Sequence, residues 1–127
     1  KYDLDKMDVS IPVASIPKDL TCFQFAVKFM KENLGLSFKD ISEMLGRSAP
    51  AVHLTYKRAA EVLPGRIKAV SSQYDVPISY LEKGESILTG IIKYLKEEKG
   101  MTYSQIGKVL KRDERTIWTT YNRRGKR

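Results

Sequence analysis

At 127 residues, 42% of them hydrophobic and 30% charged, the chain has the balance of a folded globular protein, which excludes a disordered or fibrous one. No apolar run approaches the roughly 18 residues needed to cross a bilayer, and no secretory leader is legible. Lys and Arg number 23 against 15 Asp and Glu, a net charge of +8, and such a balance favours a polyanionic partner.

The excess charge is unevenly placed: residues 1–64 carry nine basic against eight acidic residues, and residues 65–127 carry fourteen against seven. The two halves are nevertheless related. A shift of 65 residues aligns 11–60 with 76–125 without a gap and gives 12 identities in 50 positions, where about 3 would arise by chance at ordinary residue frequencies. This duplication sets the expected organisation: a first module at 9–62, a linker at 63–73 and a second module at 74–127.

The first module opens on the arm "IPVASIPK", whose prolines disfavour helix and remove amide donors, so an edge strand or irregular arm is expected. Thr21 then offers an N-cap, followed by Phe23, Ala26, Val27 and Met30 at helical spacing and by Gly35 as a left-handed stop. Ser37 and Asp40 stand three apart as in a capping box, and Ile41, Met44 and Leu45 line one face of a short second helix. After "GRS", Ser48 caps a third helix with Val52 and Tyr56 inward; Pro50 falls in its first turn, where proline is tolerated. The segment "LPGRIKAVSSQYD" reads as a solvated linker starting near Pro64.

The second module repeats these signals. Its arm is "VPISYLEK", and Ser86 precedes Leu88, Ile91, Ile92 and Leu95, with Gly100 as the stop. Thr102 and Gln105 form the next box, ahead of Ile106, Val109 and Leu110, and Asp113 caps a third helix with Ile117 and Tyr121 inward. The basic tail "RRGKR" closes the chain. Ile11 and Val13, like Val76 and Ile78, alternate around a proline, so the arms can pair as short strands, either across modules or between chains; the second case would give a homodimer through the extended arms.

The segment "GLSFKDISEMLGRSAPAVHLTYKRA" and its counterpart resemble the helix-turn-helix of the fourth region of sigma factors and of many small bacterial and archaeal regulators. The resemblance spans 25 residues of each copy. It implies an all-α protein of two tandem three-helix helix-turn-helix modules, each preceded by a short extended arm. In those families the first helix of the motif braces the second, which enters the major groove of DNA. The function it implies is DNA binding, as a transcription regulator or local chromatin organiser, with a cytoplasmic, nucleoid-associated location, no cofactor and no membrane partner.

Candidate DNA contacts lie on and around the third helices: Arg47, Ser48, His53, Lys57 and Arg58 in module one, and Arg112, Glu114, Arg115, Trp118, Thr119, Asn122, Arg123 and Arg124 in module two. Arg115 sits in a first helical turn, from which side chains reach base edges, and Arg is the commonest bidentate reader of guanine. Glu114 either accepts from cytosine N4 or favours the positive end of its helix, the latter being the simpler reading. Trp118 is divided between DNA and packing between modules or subunits. No phosphate loop, serine-nucleophile motif or catalytic carboxylate pair is present, so an enzyme is not expected. His53, the lone histidine, has no metal-ligand spacing around it, and Cys22 lies in an apolar run and is expected to be buried. The competing reading is a protein-interaction or assembly module: module one is near neutral, with Ala, Pro and Leu where polar readers belong. It would then hold a protein partner, leaving at most the second copy on DNA.

Overall fold

Each copy builds three helices because each carries three N-cap signals followed by apolar residues at helical spacing. The computed structural model describes residues 9–81 and 85–124. In copy one, strand β1 (Ser10–Ile11) and a helical turn at Val13–Ser15 lead into α1 (Cys22–Lys28), which continues through a wider turn of helix at Phe29–Asn33; α2 (Phe38–Leu45) and α3 (Ala49–Val62) follow. Copy two gives strand β2 (Val76–Pro77), a helical turn at Ile78–Leu81, α4 (Ile87–Glu97), α5 (Tyr103–Leu110) and α6 (Glu114–Arg124). The described chain is mainly helical, with one two-stranded sheet.

Five of the expected caps are in place, the Ser37–Asp40 pair with only the hydroxyl-to-amide half of its box. Thr21 accepts from the Gln24 amide while the Gln24 side chain returns to the Thr21 amide, and Thr102 with Gln105 repeats that box in full. Ser37, Ser48 and Ser86 accept from the Asp40, Ala51 and Thr89 amides. Each bond satisfies one amide that has no partner inside its helix, stabilising the end by about 1 kcal/mol. Gly35 and Gly100 close the first helices at φ 71° and 66°, and amide hydrogen bonds from Leu36 to Met30 and from Met101 to Leu95 wrap both ends alike.

The arms pair across the two copies within one chain: β1 and β2 are antiparallel, with Ile11 opposite Val76 and Ser10 opposite Pro77. Behind this ribbon α1 packs against α4, α2 against the Ile78–Leu81 turn, and α5 against the Val13–Ser15 turn. Ile11, Val76, Ile41, Leu45, Val52, Ile91, Ile106, Leu110 and Ile117 are all fully buried in one continuous apolar cluster drawn from both copies. Each such side chain contributes roughly 1.5–3 kcal/mol relative to exposure, so neither copy buries its apolar residues alone.

The expectation of a solvated linker at 63–73 needs correction at one point. Arg66 and Lys68 do face solvent, but Ile67 is buried. The segment is strapped to copy one: Lys28 Nζ donates to the Gly65 carbonyl at 2.7 Å, Asn33 Nδ2 to that of Ile67 at 3.0 Å, and the Val70 amide to Ser15 Oγ at 2.9 Å.

Candidate nucleic-acid interface

The third helices are held by narrow inner faces. In α3 Val52 and Ala59 are buried, and the outer side leaves Ala49, Pro50, His53, Leu54, Lys57 and Arg58 exposed. In α6 Ile117 is buried, and Glu114, Arg115, Trp118, Thr119 and Arg123 are exposed. The residues expected on the outer faces are therefore there, with one exception: Asn122 is half-buried, its amide donating to the Trp118 carbonyl at 2.9 Å and lying 3.4 Å from Tyr103 Oη. The side chain of Arg124 and tail residues 125–127 lie outside the described residues.

The turn before each third helix takes the same path. Gly46 at φ 66° and Lys111 at φ 58° end α2 and α5 in the left-handed conformation. The Arg47 amide bonds the Ser42 carbonyl at 3.0 Å, and that of Arg112 bonds Gly107 at 2.9 Å. The backbone passes so close to α5 that a Cβ on Gly107 would lie 2.8 Å from the Arg112 carbonyl oxygen.

Two candidate DNA contacts, Arg47 and Arg112, are engaged elsewhere. Arg47 donates through one guanidinium nitrogen to the Leu45 carbonyl and through the other to the Glu85 carbonyl of copy two. Arg112 donates to the Leu110 carbonyl at 3.1 Å and, at 2.7 Å, to the Leu20 carbonyl of copy one. Both side chains are half-buried. They tie each turn to the residue before the N-cap of the other copy's first helix, so both guanidinium groups are engaged within the protein. Ser48 likewise uses its hydroxyl to cap α3.

Glu114 occupies the first turn of α6, where the positive helix end favours a carboxylate. Trp118 is 52% exposed and so belongs to the open face rather than to the packing between copies. Its counterpart His53 meets the Phe38 ring edge-to-face at 4.9 Å. Around His53 a shallow, mainly apolar groove is lined by Phe38, Tyr56, Ala60, Lys31, Lys57 and Glu61.

A network that spacing alone does not reveal positions the third helices. Tyr56 donates to Glu32 at 2.6 Å, and Tyr121 to Glu97 at 2.8 Å. Lys31 lies 4.4 Å from the centre of the Phe38 ring and Lys96 4.5 Å from that of Tyr103. Lys31, Glu32 and Tyr56 recur identically in the second copy, and those identities were the available signal. In copy one, fully buried Lys28 also pairs with Glu32. Burial opposes the charge on Glu32, but hydrogen bonds from Lys28 and Tyr56, with the charges of Lys28 and Arg66, together hold its carboxyl below the usual value. The same carboxylate, aided by burial, pushes the Tyr56 hydroxyl up. Burial raises the Cys22 thiol to about 11 against the opposing charge of Arg112, leaving it protonated and inert at neutral pH.

Among the described residues no group of three or more His, Cys, Asp or Glu is placed to hold a metal ion, and no helix is long and apolar enough to cross a membrane. Comparisons with protein-family models, with curated proteins and with solved structures give no match.

Proposed function

We propose that this chain is a tandem helix-turn-helix protein that binds duplex DNA, acting as a transcription regulator or local chromatin organiser. Helices α2 and α5 brace α3 and α6, and these two enter the major groove. The observation that carries the reading is the exposed outer side of each third helix, held from behind by one buried row and bearing Lys57 and Arg58 in copy one and Arg115 and Arg123 in copy two. Arg58 and Arg123 are counterparts, both exposed, and are the natural phosphate contacts common to the two copies. Arg115 and Thr119 are placed to reach base edges, as polar side chains near a recognition helix N-terminus do.

Selection from a random duplex library followed by salt titration tests this reading. The expected result is an enriched motif whose affinity falls steeply with salt, because each phosphate neutralised releases condensed counterions. The reading fails if neither selected nor random duplexes bind at about 50 mM salt, where phosphate contacts are strong. Copy two is expected to supply most of the affinity, so Arg115→Ala should cost more than His53→Ala.

A second reading is favoured by one observation. On α3 Leu54 and Val62 are 46% and 48% exposed, and the same copy opens the apolar groove at Phe38 and His53, so copy one offers a surface suited to a protein partner. Under that reading Leu54→Asp leaves DNA affinity within about twofold and abolishes the protein contact.

A further inference from the structure

Two copies in tandem can be arranged in two ways. If one is carried onto the other by translation along the chain, the patch of copy one that meets copy two differs from the patch of copy two that meets copy one. If they are related by a half-turn, the same patch serves on both sides and contacts occur in reciprocal pairs.

The contacts between the copies are reciprocal. Ile11 lies opposite Val76, which is its own counterpart under the 65-residue shift, so an axis must pass through that pair. Arg47 reaches the Glu85 carbonyl and Arg112 reaches that of Leu20; Glu85 is the counterpart of Leu20. Helix α2 packs on the Ile78–Leu81 turn while α5 packs on the Val13–Ser15 turn, and α1 and α4 meet each other. Only a two-fold rotation satisfies all of these together.

From this arrangement we infer that the chain is an intramolecular counterpart of a symmetric dimer, and that it reads two inverted, unlike half-sites on one duplex with one chain per site. The inference rests on the DNA-binding reading above. The backbone of a duplex has two-fold axes perpendicular to its length, so readers related by a two-fold meet equivalent backbone positions only in inverted orientation, with half-site centres a whole number of helical turns apart. Tandem order in the sequence would otherwise suggest a direct repeat. The half-sites are unlike because the outer faces differ: Pro50, His53 and Leu54 stand where copy two has exposed Arg115, Trp118 and Thr119, and exposed Lys57 stands where copy two has half-buried Asn122.

The test uses the intact chain and the duplex that it selects from a random library. Reversing one half-site relative to the other should weaken binding about tenfold or more, since several base pairs become mismatched at once, and hydroxyl-radical footprints on the two strands should be mirror images about the centre. A variant carrying Pro50→Arg, His53→Trp, Leu54→Thr and Lys57→Asn should select a motif whose halves are closer to inverted copies of one another than those of the parent. Halves repeated in the same direction, protection of a single half-site, or two duplexes held by one chain would overturn the inference while leaving DNA binding intact. Failure of the unaltered chain to bind any duplex would overturn the functional reading itself, and this inference with it. The footprint and the half-site reversal need only the unaltered protein, so they decide the matter even if the fourfold variant does not fold.

Discussion

Arginine side chains in this protein divide into two roles that their spacing does not separate. Arg112 and Arg115 are three residues apart, yet Arg112 binds carbonyl oxygens of both copies and Arg115 stands exposed. Arg112→Ala leaves the carbonyl of buried Leu20 without its donor and should lower stability by about 1–3 kcal/mol, read by thermal unfolding. Arg115→Ala should leave the unfolding curve unchanged and cost about 1–3 kcal/mol of DNA affinity, read by fluorescence anisotropy; a uniform loss across sequences would mean phosphate contact, and relaxed preference at one base would mean guanine reading. Lys111 offers a test of opposite sign. It adopts the left-handed conformation that glycine takes at the equivalent position 46, at a cost on the order of 1 kcal/mol. Lys111→Gly should therefore raise the melting temperature, even though it removes an exposed bond from Nζ to the Ala14 carbonyl.

Among the elements, the helices were legible because their signals are local. Thr21, Ser37, Ser48, Ser86 and Thr102 cap the helices that they precede, and of the apolar rows of α2 and α5 Ile41, Leu45, Ile106 and Leu110 are buried while Met44 and Val109 are partly so. What escaped the sequence depends on distance along the chain. Arg47 meets a residue 38 positions away and Arg112 one 92 positions away, and the strap of the linker onto α1 joins residues more than 30 apart. No periodicity encodes such contacts. The tie between α1 and α3 through Glu32 predicts a response to acid. The folded-state carboxyl titrates below the usual value of 4.5, so its contribution to stability is full above that value and is lost as pH falls through the lower, folded-state value. Glu32→Gln should be less stable than the parent at pH 7, on the order of 2 kcal/mol for a charge-assisted pair with buried Lys28. The difference should narrow progressively below about pH 4.5 in thermal unfolding scans, because the parent then loses the same charge.

For the whole molecule, the shared core predicts that the repeats are inseparable. Each copy places apolar residues against the other, and each receives an arginine from the other. Fragments 9–62 and 74–127 prepared separately should show little helical circular dichroism or amide protection, and mixing them should restore both in proportion to concentration. A fragment that melts cooperatively by itself would show that one copy is sufficient. The duplication was plain in the sequence. Its symmetry was not, because an alignment of two segments carries no information about the rotation that relates them.

The pairing of Ile11 with Val76 also fixes an order of events during synthesis. Local helical contacts within copy one form and break within microseconds to milliseconds, but nothing holds them until copy two arrives to complete the core. The strand of copy one must wait for a partner 65 residues downstream, and a ribosome adding about 5–20 residues per second takes roughly 3–13 s to deliver it. Throughout that interval the face that will receive α5 and Arg112 is wet and sticky. The nascent first copy therefore holds that apolar face without its partner for some seconds, and the last helix to leave the ribosome follows the one whose turn closes the molecule.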